Sequence, residues 1–434
     1  MWSVKNQKKH MKEDFLHYVW KHQLFSKKNL KTIDQKNIEI VNSGIHNFNS
    51  GPDFFNAKVV IDDLLWAGNV EIHLKSSDWY LHQHENDENY DSVILHVVWE
   101  DDVAIFDKNN HVIPTLILNG LIDVHLIQNY QKLLLHPVDW IPCEKSISQT
   151  HSFLVENWKT RLYFDRLEDK SILINQLLNG FNNDYEAVLF KLLCKNFGLK
   201  INGDAFLSLA NSIDYSILRK VSTDALKTNA LFFGQAGFLQ ENIEHEYFLS
   251  LKREFDYLQH KFKLKPIFNG QFQFFRLRPS NFPTIRIAQI AGLYYKHQNL
   301  FSIIMSITKV EDFYTLFQVE LNVFWETHYT FQKTASKKTK RITKSFVDLL
   351  LINTILPLKF NYLKSRGEVD EDEFLNLLKQ LKPEKNAIIS KFSELKLISK
   401  NAFDSQSLLQ LKNNYCAKKR CLQCAIGNSL VRKS

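Results

Sequence analysis

Glycine and proline are scarce, 13 and 9 residues in a chain of 434. That scarcity excludes collagen-like and Pro/Gly-rich low-complexity chains. Together with 33 Phe and 8 Trp it also excludes a disordered chain, because so much apolar mass demands burial. Cysteine is scarce too, with five residues, which is too few for a disulfide-stapled secreted scaffold. The stretch MWSVKNQKKHMKEDF lacks the apolar core of a secretory signal, so the thiols are expected to be reduced and the protein cytoplasmic. Long apolar runs are missing as well. The longest, LLLINTILPL at 349–358, is about half of what spans a bilayer and contains a proline, so no membrane association is expected.

Neither sign of charge dominates. There are 55 Lys plus Arg against 47 Asp plus Glu, a net charge of +8, which is mildly favourable to a polyanionic partner. Hydrophobic residues at 44% and charged residues at 24% make a globular composition, and at roughly 150 residues per domain the length suggests two or three domains. Residues 1–145 alternate helix and strand signals. EDFLHYVWKHQLF (13–25) places Phe15, Leu16, Val19, Trp20 and Leu24 at helical spacing. IEIV (38–41), AKVVI (57–61), LWAGNVEIHLK (65–75) and SVILHVVW (92–99) read as strands, with a hairpin expected at Asp62-Asp63. The stretch 76–90 is long enough for a crossover helix, which makes the last two strands parallel. Residues 146–298 and 299–434 are mostly helical, apart from a basic loop at 332–344. The expectation is an α/β N-terminal domain with a small mixed sheet, followed by a mostly α-helical remainder.

In GNVEIHLKSSDWYLHQH (68–84), Val70, Ile72 and Leu74 alternate with Glu71, His73 and Lys75. Successive side chains of a strand point to opposite faces, so one face is aliphatic and the other carries an acid, an imidazole and an amine. Asp53 follows a Gly-Pro turn ahead of the preceding strand. Two carboxylates on neighbouring strands suit a hard cation such as Mg²⁺ or Mn²⁺. Glu13 lies in line with Leu16 and Trp20 and is a candidate third carboxylate. The alternative is a solvated sheet face. The crowding of His73, His82, His84 and His96 with Asp53 and Glu71 tilts the reading toward a site, although His96 inside VILHVV also suits a hydrogen-bonded core position and an H-x-H pair alone is a weak zinc signal.

Asp53, an 18-residue gap and then Glu71-Ile72-His73, set in helix–strand–strand–strand–helix–strand order, resemble the PD-(D/E)XK nuclease superfamily. The resemblance implies a restriction-endonuclease-like sheet in which Asp53 and Glu71 bind the metal. A lysine two residues after the second acid positions water in that family; here His73 stands there, leaving His73 or Lys75 for the role. More closely, GPDFFNAKV, GNVEIHLKSSDWYLHQH, VILHVVWEDD and YCAKKRCLQCAIG resemble an uncharacterised bacterial family, domain of unknown function 2851. The implied activity is a metal-dependent nuclease acting on DNA or RNA. Two alternatives stand beside it: a non-catalytic nucleic-acid-binding or scaffolding protein of the same fold, and a histidine-based zinc hydrolase built on His82 and His84.

Two basic segments are candidates for touching nucleic acid. FFRLRPSNFPTIRIAQIA carries Arg276, Arg278 and Arg286 among aromatics, and KKTKR carries Lys337, Lys338, Lys340 and Arg341. The alternatives are an extended segment between helical blocks whose arginines pair with acids elsewhere for the first, and a solvated loop for the second. LFFGQAGFL lacks the Lys-Ser/Thr ending of a phosphate loop and reads as a tight helix contact, and Cys194 reads as a packed core thiol. Near the C-terminus Cys416, Cys421 and Cys424 have C-x4-C-x2-C spacing. This suits zinc or an iron–sulfur cluster if a remote fourth ligand exists, and Cys143 in DWIPCEKS is available. One upstream cysteine plus three C-terminal ones resembles the iron–sulfur staple of some helicase-associated PD-(D/E)XK exonucleases. Three unligated thiols remain the alternative.

Overall fold

A computed structural model describes residues 11–134 and 139–433. The chain forms two compact units, Met1–Trp158 with Leu411–Ser434, and Lys159–Gln410.

The first unit is built on a six-stranded mixed sheet. Its strands are β1 (Ile38–Asn42), β2 (Ile45–His46), β3 (Phe54–Ile61), β4 (Leu64–Lys75), β5 (Val93–Glu100) and β6 (Thr115–Ile117). Their order is β1-β3-β4-β5-β6, with β2 also pairing β3. β3 and β4 form an antiparallel hairpin whose turn is Asp62-Asp63, with φ of 46° and 65°. Two consecutive left-handed residues match the type I′ turn, whose twist suits a two-residue hairpin, and Asp tolerates that region better than most residues. β4 and β5 are parallel, as the long connector required, and that connector holds the short helix α2 (Asp78–Leu81) and two 3-10 turns.

Helix α1 (Glu13–Lys21) buries Phe15, Leu16, Val19 and Trp20, the residues its spacing set on one face, and packs against β4. Its first-turn acids, Glu13 and Asp14, sit where the helix dipole favours negative charge. At the hairpin end of β4, Leu64, Leu65 and Trp66 are exposed. At the other end Val70, Glu71, Ile72 and His73 are all buried, so both faces of the strand are covered there. The solvated-face alternative fails at Glu71 and His73.

In the second unit a single apolar core runs from Tyr163 to Phe403, so the helical stretches read as 146–298 and 299–434 are not separate bodies. Cys194 is fully buried in that core. In LFFGQAGFL, a Cβ on Gly234 would meet the Phe255 ring at 2.1 Å, which is the close helix contact expected there. The helical run Lys344–Arg366 is long and apolar enough to cross a membrane, but 67% of its apolar window is buried inside the structure, as in a core helix. It takes a π-helical turn at Leu351–Ile355, just ahead of Pro357, which has no N–H to offer the normal ladder. The buried Lys170 ammonium donates to the Ile352 carbonyl at 3.3 Å and to Asn353 Oδ1 at 3.0 Å beside that turn.

Candidate active site

The pairing of Phe54 with Val70 sets Asp53 across from Glu71. One extra residue on β3 between Phe54 and Ala57 makes a β-bulge, with Asn56 left-handed at φ 56°. Bulges of this kind re-aim neighbouring side chains. The loop before Asp53 is pinned by the Asn47 amide, which donates to the carbonyls of Asn49, Ser50 and Pro52 at 3.1 Å each. The two acids then lock reciprocally. The Asp53 N–H donates to Glu71 Oε2 at 3.0 Å, and the Ile72 N–H donates to Asp53 Oδ2 at 3.0 Å.

Glu71 is 5% exposed. Burial, and next the neighbouring Asp53 carboxylate, hold its carboxyl well above the ordinary carboxylate range, against the Asp53 N–H that favours the anion. Glu13 faces the same place. Burial raises its carboxyl, the His17 imidazole opposes this, and the Asp53 carboxylate adds to it. A buried carboxyl facing a half-buried carboxylate, with a third acid at hand, is an arrangement that a cation relieves.

His17 is four residues from Glu13 on α1, and its Nε2 lies 3.1 Å from Asp53 Oδ2. The imidazole N–H points off the line to that oxygen, so the contact is an ion pair in distance without a well-aligned hydrogen bond. Burial opposes charging this ring, but the Asp53 and Glu13 carboxylates outweigh it and raise its pKa. Sequence reasoning missed His17, although the i, i+4 spacing from Glu13 pointed to it.

The histidines converge. Glu71 and His96 pair in register across β4 and β5, so His96 shares the face of Glu71 and His73. His73 Nδ1 is 2.8 Å from His96 Nε2, and His73 Nε2 is 3.1 Å from His82 Nδ1. Glu71 Oε1 lies 3.5 Å from His73 Nε2 and 3.4 Å from His84 Nε2. Burial first, then the surrounding imidazoles, lower His73 to about 2. Burial lowers His96 to about 3 and also lowers His84. These are neutral rings. Both ring nitrogens of His73 already face neighbouring imidazoles, His96 on one side and His82 on the other. Lys75 departs from its expected role: its Nζ reaches Asp102 Oδ2 at 3.3 Å, at the entry to α2.

A cleft of about 630 Å³ is lined by His17, the residue that reaches Asp53, although Asp53, Glu71 and Glu13 do not line it themselves. Lys12 and Lys21 on one side and Lys418, Lys419 and Arg420 on the other line it, with the exposed ring of Phe48 at its edge. The other basic candidates lie in the second unit. Arg276, Arg278, Lys337, Lys338 and Arg341 are exposed there, with Lys337 Nζ 3.2 Å from a Glu326 oxygen. Arg286 and Lys340 correct the expectation. Arg286 is 6% exposed, lies 3.5 Å over the Phe346 ring and is bonded to Gln289 and Asn281. Lys340 is buried over the Tyr329 ring and donates to the Glu326 carbonyl. Neither reaches a phosphate, because aromatic packing holds both cations inside.

All four expected cysteines line one small enclosed cavity. Cys143 comes from the loop after the sheet, and Cys416, Cys421 and Cys424 from the C-terminal segment. All are buried, and burial, with the other thiols adding to it at Cys143, Cys416 and Cys421, raises their pKa values. Lys412 ties the segment to the loop, donating to the Trp140 carbonyl at 2.6 Å. Gly427 permits the tight fold, since a Cβ there would meet the Cys421 carbonyl oxygen at 2.2 Å. Among the described residues, His73, His82 and His84 form the group whose ligand atoms all lie within 4.8 Å of one another. No three of the four sulfurs meet that spacing.

No curated protein and no solved structure gives a significant match to this chain. A family model covers residues 13–387, which include the strands, both acids, the histidine cluster and most of the helical unit. The chain therefore belongs to the family described as protein of unknown function, DUF2851.

Proposed function

We propose that the first unit is a metal-dependent nuclease of the PD-(D/E)XK type. The observation that carries the reading is the interlocked Asp53–Glu71 pair, which His17 connects to a lysine- and arginine-lined cleft. The donor set is hard oxygen, which suits Mg²⁺ or Mn²⁺, with Glu13 as a third carboxylate. Such an ion, when bound, neutralises phosphate charge and acidifies water. The chain's own residues do the rest. Lys418, Lys419 and Arg420 hold the phosphate backbone from one wall of the cleft, Lys12 and Lys21 hold it from the other, and Phe48 offers a face for a base to stack on. His17, whose pKa the Asp53 carboxylate raises, is the candidate donor to a phosphate oxygen or to the departing alcohol. A water oxygen forms the new P–O bond as the ester P–O bond breaks.

The test incubates purified protein with labelled single- and double-stranded DNA and RNA in Mg²⁺, Mn²⁺ or EDTA. Asp53→Asn keeps an acceptor for the Ile72 N–H, so the variant should fold and fail to cleave. Cleavage equal to wild type in Asp53→Asn and Glu71→Gln ends the nuclease reading. Binding without cleavage by the wild type supports the non-catalytic alternative. Lys418→Ala and Lys419→Ala should each reduce the salt slope of binding by about one.

We further propose that the four cysteines hold a metal centre, zinc or an iron–sulfur cluster. All four thiols line one cavity, and thiolates suit either centre. Metal analysis of anaerobically purified protein decides: iron with acid-labile sulfide and a brown colour assigns a cluster, and zinc alone assigns a zinc site. Neither metal refutes the proposal.

A further inference from the structure

We propose that His73, His82 and His84 form a three-histidine site for a divalent transition metal, zinc above all, alongside the carboxylate pair. The proposal concerns metal binding and stands whether or not the chain cleaves nucleic acid.

Three features of the fold build this site. The first is the H-x-H pair. In a strand, residues two apart lie on the same face, but His82 and His84 sit in a connector, where no such rule aligns them. Gln83 between them is left-handed at φ 61°, and that reversal brings both rings onto His73. A non-glycine residue in this region carries a conformational cost, so the surrounding structure must hold it there. The second is the orientation of His73. Its Nδ1 lies 2.8 Å from Nε2 of the buried His96. A ligating imidazole uses its other nitrogen for such a contact, which fixes the ring and leaves Nε2 as donor to the metal. The third is His84, stacked on Tyr90 with ring centroids 3.7 Å apart, a contact that holds the ring in place.

The distances fit. Tetrahedral zinc with Zn–N near 2.0–2.1 Å separates its ligand atoms by about 3.4 Å. His73 Nε2 and His82 Nδ1 are 3.1 Å apart, and all three ligand nitrogens fall within 4.8 Å. The exposure is graded: His73 is buried, His84 intermediate and His82 exposed, so an ion has a way in and the fourth position faces water. Imidazole ligands favour zinc and its transition-metal neighbours over Mg²⁺, which prefers oxygen. Glu71 adjoins both sites, its Oε2 toward Asp53 and its Oε1 within 3.5 Å of two of the histidines. The pair of sites thus divides hard from borderline cations.

Cobalt reads the site directly. Metal-stripped protein is titrated with Co²⁺ and followed by visible absorption, then with Zn²⁺ in competition. The wild type should bind one Co²⁺ with visible bands of tetrahedral nitrogen ligation. Any ion at the cysteines would announce itself separately by near-ultraviolet thiolate charge transfer. His82→Ala and His84→Ala should each weaken this site by a hundredfold or more. The exposed His111→Ala should leave it within threefold of wild type. His82 is exposed, so His82→Ala decides the matter if His84→Ala does not fold. Unchanged affinity in His82→Ala, or cobalt spectra of thiolate type alone, overturns the proposal.

Discussion

Replacing Glu71 with Gln should make the metal-free protein more stable while removing its function. The side chain is almost fully buried, and burial and the Asp53 carboxylate both push against its ionisation. At pH 7.5 the unfolded chain ionises this group three units above its ordinary value of 4.5, while the folded chain resists. At 1.36 kcal/mol per unit the ceiling of that penalty is about 4 kcal/mol. Water penetration and relaxation reduce such buried terms, so about 2 kcal/mol is the working figure. Gln escapes the penalty and retains an acceptor for the Asp53 N–H. For a unit of this size that raises the melting temperature by roughly 4–8 °C. The sign with pH follows from the folded value lying above the unfolded one. The carboxyl's favourable share is whole below about pH 4.5 and fades as pH climbs through the folded value, so the gap in favour of Glu71→Gln widens with pH. Differential scanning calorimetry in EDTA at pH 5, 7 and 9 measures it. Adding Mn²⁺ should then stabilise the wild type and leave the variant almost unmoved. A variant that melts at or below the wild type at every pH in EDTA would refute the picture of a strained carboxylate pair.

Lys170, lowered to about 7 by burial and then by Arg166, has a folded value below its unfolded one, so its penalty is full below pH 7 and is relieved between 7 and 10.5. Denaturant unfolding should show wild type gaining about 2 kcal/mol from pH 6 to pH 9 through this group; Lys170→Met should flatten that gain, and equal slopes would count against it. The buried ion pair of Lys159 with Asp404, at 2.9 Å, predicts a loss of about 3 kcal/mol for Lys159→Met and recovery of most of it in the double variant with Asp404→Leu. Arg286→Lys should cost about 2 kcal/mol of stability through lost stacking and forked bonding, with nucleic-acid affinity by anisotropy unchanged.

Local pattern in the sequence carried the first unit a long way. The alternation in β4, the Asp62-Asp63 turn and the helical spacing of Phe15 to Trp20 are all short-range signals, and each appears where the sequence placed it. The alternation did not disclose that both faces of β4 would be covered at Glu71 and His73. That depends on α1 and the α2 connector, which arrive from outside the strand. Charge patterning misjudged Arg286 and Lys340, because a run of basic residues carries no record of the aromatic rings that close over it. Cys143 and the C-terminal cysteines were linked by rarity and by a resemblance, not by any local pattern. Their meeting depends on the chain's return to its first unit, a contact with no local signature.

That return has a consequence for how the protein is made. The second unit, Lys159–Gln410, is spliced into the first, whose second piece is translated only after it. At 5–20 residues per second, its 252 residues occupy a ribosome for roughly 13 to 50 seconds. Throughout that interval the sheet and Cys143 exist without Lys418, Lys419, Arg420 and the other three thiols. The cleft's far wall and the cysteine cavity are therefore absent from the nascent chain, so an unfinished polypeptide carries the acids but not the basic wall of the cleft that His17 borders.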